Sequence, residues 1–244
     1  MKLKIHENSD ELGRRAAEEG AAEINKAIDA SGQATIIVAT GASQFAMLEV
    51  LVAQDIDWSR VTAFHLDEYV GLPATHKASF RGYLRTRFVE RVGRLREFVE
   101  VGGDAANIEE EVLRLNARLQ GETVDVCFAG IGENCHLAFN DPPADFTVEA
   151  PYIVVELDAA CRQQQYGEGW FDTIDAVPRR AISMSIQQIM KARKIVLSVP
   201  DQRKAVAVQQ AVEEPVSPLY PASILQQHAH ATLHLDRASA SKLA

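Results

Sequence analysis

The sequence predicts an α/β fold: a single domain with a Rossmann-like, doubly wound, mostly parallel sheet and helices on both faces. Three observations predict it. Short apolar, β-branched runs recur along the 244-residue chain, each about as long as a strand covered on both faces. Between them lie stretches whose apolar residues repeat every three to four positions, the period of a helix with one buried face. No fixed-period repeat, low-complexity tract or Pro/Gly/Ser-rich linker breaks this alternation, so residues 1–244 read as one domain.

The elements follow in chain order. Leu12, Ala16, Ile24 and Ile28 fall at multiples of four in an Ala/Glu-rich stretch, which predicts a helix stopped by Ser31-Gly32. Residues 34–40 (ATIIVAT) read as the first buried strand, and Phe45, Leu48 and Val52 as the stripe of the helix after it. VTAFHL at 61–66 is the next strand, followed by helical patterns at Phe80, Leu84, Phe88 and Val92, then at Ile108, Val112, Leu115 and Leu119. VDVCFAG at 124–130 and KIVLSVP at 194–200 repeat the strand signature. A helix marked by Val206, Gln209 and Val212 and a late strand, ATLHLD, complete the alternation.

Composition removes several functional classes. Lys and Arg number 25 against 34 Asp and Glu, a formal charge of −9, which argues against a nucleic acid partner gripped by broad phosphate neutralisation. No apolar run approaches the roughly 18–20 residues that span a bilayer, so no membrane partner is expected. The opening MKLKIHENSDELGRR lacks the apolar middle and cleavage pattern of a secretory signal and predicts a cytoplasmic protein. Cys127, Cys135 and Cys161 form neither a disulfide framework nor a zinc spacing, so no metal is expected.

In doubly wound sheets ligands bind beyond the carboxyl ends of the strands, and three such junctions carry chemistry. At Thr40-Gly41-Ala42-Ser43-Gln44, glycine allows a tight turn and the next helix offers free N–H groups, which suits either a phosphate cradle or an ordinary capped turn. At Leu66-Asp67-Glu68-Tyr69, two carboxylates leave a strand end; adjacent side chains diverge, so one of them faces a pocket and could act as a base. A solvated acidic turn is the alternative there. At Gly130-Ile131-Gly132-Glu133-Asn134-Cys135-His136, continuing to Asn140-Asp141, two glycines admit a ligand, His136 suits proton transfer at neutral pH, and Asp141 reaches it if the loop folds back. A Cys135–His136 nucleophile pair is disfavoured because sequence neighbours point apart.

Four strings in order, TGAS, FHLDEYVGLP, GIGENCHLAFNDP and DQRKAVAVQQAVEEPVSPLYPASILQQH, resemble the glucosamine-6-phosphate deaminase (isomerase) family over nearly the whole chain. The related 6-phosphogluconolactonases share the first loop but typically carry DER for DEY and GxDGHxxSLFP for the third string. The resemblance implies ring opening of an amino-sugar 6-phosphate, aldose-to-ketose isomerisation and release of ammonium, with no metal or organic cofactor. By position, Asp67 matches the base that carries a proton from C2 to C1, and His136 the residue that moves a proton between O5 and O1. Asp141 stands where the family usually has Glu. Thr40, Gly41, Ala42 and Ser43 match the phosphate loop, and Lys204 a lysine that pairs with phosphate.

Three positions depart from the pattern. Asn134 replaces an Asp that orients the histidine ring, which predicts a weaker base at His136. Cys135 replaces a Gly, removing easy access to the left-handed conformation and predicting a reshaped loop. In the segment Cys161-Arg162-Gln163-Gln164-Gln165-Tyr166-Gly167-Glu168-Gly169-Trp170-Phe171, Arg162 matches the first lid arginine and is expected on the phosphate, while the second has no counterpart. The expected partner is thus a small-molecule sugar phosphate, with glucosamine or galactosamine 6-phosphate both open and a homo-oligomer compatible with the chain. A 6-phosphogluconolactonase-like hydrolase and a non-catalytic sugar-phosphate sensor are the alternatives.

Overall fold

The computed structural model describes residues 1–244. In chain order the elements are β1 (Lys2–His6), α1 (Ser9–Ser31), β2 (Ala34–Val38), α2 (Phe45–Leu51), β3 (Val61–His65) and β4 (Asp67–Tyr69). Then come α3 (Phe80–Leu84), running through a π-helical turn at Arg85–Val89 into α4 (Glu90–Val92), β5 (Glu97–Val99), α5 (Ile108–Leu119) and β6 (Val126–Ala129). The chain closes with β7 (Tyr152–Glu156), α6 (Ala159–Gly167), β8 (Arg180–Met184), α7 (Ile186–Met190), β9 (Lys194–Val199), α8 (Ala205–Glu213) and β10 (Ala231–Asp236).

Seven strands form one parallel sheet in the order β1-β10-β9-β6-β2-β3-β5. After β2 the chain runs outward through β3 and β5, then returns to the other side of β2 at β6. The crevice between the carboxyl ends of β2 and β6 is therefore the topological switch point, where a doubly wound sheet collects its ligand.

Alternating side chains divide the core between the two faces. Ile36, Val38, Val126 and Phe128 pack under α1 and α2 with Ala16, Ile24, Met47 and Leu48. Ile37, Cys127, Ile195 and Leu233 face α5, α7 and α8 with Leu115, Ile189 and Val208. Helix α1 starts where Asn8 accepts a hydrogen bond from the Glu11 N–H and stops at left-handed Gly32, and its predicted stripe is buried. In α8 the buried face is Ala205, Ala207, Val208 and Ala211, whereas Val206 of the predicted stripe is 47% exposed. Small residues let α8 sit close to the sheet, and an alanine face is hard to see in an apolar pattern that favours larger side chains.

A second, antiparallel sheet, β4-β8-β7, was absent from the sequence expectation. It begins one residue after β3, and Leu66 is the pivot that turns the chain out of the parallel sheet into β4. The edge strands β1 and β5 were also missed: β1 is largely exposed and reads as polar, and β5 has only three residues. Across the edge, Glu19 of α1 accepts from Lys4 (2.6 Å), Thr232 Oγ1 (2.7 Å) and His234 Nε2 (3.1 Å), fastening the helix to β1 and β10. No helix is long and apolar enough to cross a membrane.

Candidate active site

A cavity of about 430 Å3 opens at the switch point. Its first wall is the β2–α2 turn. Gly41 has φ +95°, which only glycine adopts without strain, and a 3-10 turn at Ala42–Gln44 leads into α2. The N–H groups of Ala42 and Ser43 have no acceptor within the protein. Buried Gln44 fixes the turn to the sheet by donating to the Ser198 carbonyl (3.1 Å) and the Ser43 hydroxyl (3.2 Å).

The second wall is β4. Asp67 pairs opposite Ser183 and Glu68 opposite Ile182, and successive strand side chains face opposite ways. Asp67 lines the cavity. Glu68 turns inward, where it accepts from the Ser79 hydroxyl (2.7 Å) and from the N–H groups of Arg81 (2.9 Å) and Tyr69 (3.0 Å). Burial, reinforced by the neighbouring Glu68 charge, pushes the Asp67 carboxyl well above the usual carboxylate range.

The loop after β6 supplies the third wall, and its backbone is tightly wound. Gly132 N–H donates to the His136 carbonyl (3.0 Å) and Cys135 N–H to the Gly132 carbonyl (3.0 Å). A Cβ on Gly132 would lie 2.3 Å from His136 Nε2, so the imidazole rests directly on glycine backbone. Cys135 keeps the left-handed conformation at φ +69°, and Ala138 does so at +50°. The cysteine side chain thus does not keep this position out of the left-handed region. Left-handed backbone at a non-glycine residue costs about 1–2 kcal/mol, and the Ala222 N–H to Cys135 carbonyl bond (3.0 Å) helps hold it. Asn140 anchors the loop to β8 by donating to the Met184 carbonyl (2.8 Å).

The ring of His136 is oriented by Asp141, not Asn134. Nδ1 lies 3.1 Å from Asp141 Oδ1, off the axis of an ideal hydrogen bond. Asn134 instead donates to Asp141 Oδ1 (3.1 Å) and accepts the backbone N–H of His136 (3.3 Å). The carboxylate that faces the imidazole is therefore supplied from Asp141. Burial pushes Asp141 up, but His136, Asn134 and the Asp158 N–H (3.1 Å) outweigh it and hold the carboxyl below its ordinary value. Cys135 points away, its thiol directed at the Ala207 carbonyl (3.5 Å) and pushed up by burial to about 11, which removes it as a nucleophile.

The β9–α8 turn makes the cationic end. Asp201, at φ +86°, donates its N–H to Asp236 Oδ2 (3.1 Å) and accepts from Arg203 Nε (3.2 Å) and Nη2 (3.1 Å). Lys204, only 7% exposed, lines the cavity beside Arg203 with its ammonium unpaired, and burial pulls its pKa down. Arg203 of this turn was missed by the sequence reading, as was Lys77, which lines the cavity from the segment before α3 and pairs with Asp172 (2.9 Å).

Arg162 does not reach this cavity. Its guanidinium donates to the carbonyls of Ile174 (2.7 Å) and Val177 (3.3 Å). At 100° per residue it lies nearly opposite Gln164 on α6, and Gln164, Gln165, Glu168 and Trp170 form the wall instead. Gln164 ties this segment to the histidine loop by accepting the Glu133 N–H (3.0 Å), and Gln165 accepts from the Tyr69 hydroxyl (2.7 Å). Thr40, Gly41, Ala42, Ser43, Asp67, His136 and Lys204 thus share one cavity, with Asp141 and Asn134 behind the histidine.

Comparison with known proteins matches residues 7–234 to the family described as glucosamine-6-phosphate isomerases/6-phosphogluconolactonase. A glucosamine-6-phosphate deaminase of Lactobacillus delbrueckii subsp. bulgaricus is 35% identical over 246 residues, covering 100% of each chain. One from Streptococcus equi subsp. zooepidemicus is 36% identical over 214 residues, 88% of this chain and 89% of its own. Among solved structures, a monomeric glucosamine-6-phosphate deaminase of the NagB superfamily superposes with a TM-score of 0.88 at 29% identity over 99% of each chain. A 6-phosphogluconolactonase from Shewanella baltica shares the fold, with a TM-score of 0.81 at 20% identity over 97% of each chain.

Proposed function

The chain belongs to the glucosamine-6-phosphate isomerase/6-phosphogluconolactonase family, and we propose that it is a glucosamine-6-phosphate deaminase. The observation that carries this reading is the Asp67 carboxyl, buried, raised in pKa and facing the same cavity as His136. The chain's 35% identity to a glucosamine-6-phosphate deaminase over the whole of both chains supports the same choice within the family.

The phosphate of the substrate sits on the free N–H groups of Ala42 and Ser43 and the Ser43 hydroxyl, with Lys204 as counter-charge and Arg203 beside it. Bound at that end, the sugar presents its anomeric side to His136 and Asp67. His136 takes the proton from the O1 hydroxyl and returns it to O5, which opens the ring; Asp141 keeps the imidazole in place and offsets its transient charge. Asp67 then removes the C2 proton, giving an enolamine, and delivers the proton to C1. Water adds to the resulting C2 iminium carbon, the C2–N bond breaks, and ammonium leaves with fructose 6-phosphate. A raised pKa suits this cycle, since a more basic carboxylate abstracts a carbon-bound proton more readily.

The test is release of ammonium and fructose 6-phosphate from glucosamine 6-phosphate, with galactosamine 6-phosphate and 6-phosphogluconolactone in parallel. Equimolar ammonium and ketose phosphate from glucosamine 6-phosphate is the expected result. Acid release from the lactone without ammonium from either amino sugar would replace this reading with the hydrolase. Thermal stabilisation by a sugar phosphate without turnover would replace it with a sensor.

A further inference from the structure

Behind the cavity wall the fold assembles a donor set that no sequence spacing announces. A ring nitrogen of His136, a carboxylate oxygen of Asp141 and Cys161 Sγ all lie within 4.8 Å of one another. Three separate pieces of chain supply them: the loop after β6, its return towards β7, and the first turn of α6. Cys161 is wholly buried, and the deamination chemistry gives its thiol no task. The second observation is the state of His136 Nδ1, which is buried and lacks an aligned hydrogen-bond partner although Asp141 Oδ1 is 3.1 Å away. A ring nitrogen in that setting has an unused lone pair or proton beside the carboxylate, with the thiol close by.

We propose that His136, Asp141 and Cys161 form a binding site for a borderline-soft divalent cation such as Zn2+, and that its occupation arrests the enzyme. Imidazole, carboxylate and thiolate together suit zinc or cobalt(II), whereas magnesium and calcium require oxygen donors. Four-coordinate ions with bonds of about 2.0–2.3 Å hold neighbouring ligand atoms roughly 3.2–3.8 Å apart. The His136–Asp141 separation of 3.1 Å is already near that range, so the remaining adjustment is a closing movement of the thiol. His136 borders the open cavity, which gives the ion its route in, and Asp158 is the next carboxylate, contacting the Cys161 N–H (2.5 Å). On binding, a metal–sulfur bond replaces the S–H bond and the thiol proton passes to solvent, so affinity rises with pH.

The inhibitory consequence rests on the role of His136 in ring opening; the binding does not. A cation on Nδ1 withdraws electron density from the ring and separates it from Asp141, so Nε2 no longer takes up a proton. The phosphate end is untouched, so kcat falls while KM stays near its original value.

The test uses the full chain stripped with EDTA and titrated with Co2+, read by the thiolate-to-cobalt charge-transfer absorption in the near ultraviolet. A band that saturates at one equivalent, is displaced by Zn2+ and is lost in Cys161→Ser is expected. Asp141→Asn, a second variant kept in case the serine protein fails to fold, should weaken Co2+ binding at least tenfold. A band that survives in Cys161→Ser, or no band in the unmodified chain, overturns the site. Separately, Zn2+ should lower kcat at least tenfold, EDTA should restore it, and Cys161→Ser should need at least tenfold more Zn2+. A Cys161-dependent band with unchanged turnover overturns the arrest alone. A chain that never deaminates is still judged by the cobalt titration, which keeps failure of the site apart from failure of the deaminase reading.

Discussion

Two neighbouring carboxylates, Asp67 and Glu68, show how little residue type decides by itself. Strand alternation gives Glu68 a shell of donors and a structural task, and puts Asp67 on the cavity wall, where burial and the adjacent Glu68 charge raise its pKa. The sequence announced that only one would face a pocket, because alternation is a property of any strand. It also put Asp141 within reach of His136 if the loop folds back, but it could not announce that Asp141 rather than position 134 would face the ring, since that depends on the path through left-handed Cys135 and Ala138. Gly132 is the other half of that arrangement, because the imidazole occupies the space of a side chain. We expect Gly132→Ala to displace the ring and lower kcat by about 10- to 100-fold, the loss typical of an ångström-scale misplacement, with little change in KM. Steady-state kinetics decides it: an unchanged kcat would mean that the ring position is not critical.

Elements were legible in proportion to their burial. The strands β2, β3, β6 and β9 were visible because both faces are covered, which leaves an unbroken apolar run. The short antiparallel sheet was not visible, because β7 alternates and is half exposed while β4 has only three residues. The same limit applies to α6. Sequence placed Arg162 in the right segment, but a rotation of about 160° between positions i and i+2 of the helix separates it from Gln164 and turns it onto backbone carbonyls. The cationic end belongs instead to the β9–α8 turn, whose strained Asp201 fixes Arg203 through two hydrogen bonds and leaves Lys204 unpaired. We expect Lys204→Ala to raise KM for the sugar phosphate by about 5- to 150-fold, the worth of a charged hydrogen bond of roughly 1–3 kcal/mol, and to leave kcat within a few-fold. An unchanged KM would remove Lys204 from the phosphate end.

At the scale of the whole molecule, the site sits where two sheets of opposite character meet, and that junction opposes stability to function. The parallel sheet brings the three loops to the switch point, while the antiparallel sheet carries Asp67 into the same cavity and buries it. Because its folded pKa lies above the unfolded value, any stabilisation linked to the protonated carboxyl is complete below the unfolded pKa of 3.8 and is lost as pH rises through the folded one. Asp141 has the opposite sign: its folded pKa is depressed, so its contribution is present above the unfolded value and is lost as pH falls through the folded one. The proton shuttle requires the ionised form of Asp67, the form that its buried position disfavours. Asp67→Asn removes the ionisation and keeps the shape. We expect its turnover to fall by about 10²- to 10⁴-fold, the usual contribution of a general base, with sugar-phosphate binding retained. Its Tm should match that of the unmodified chain near pH 3.5 and exceed it by a margin that widens towards pH 7. Paired melts across that interval separate the causes: a Tm difference independent of pH would assign the effect to altered packing, and full turnover in the variant would remove Asp67 from the chemistry.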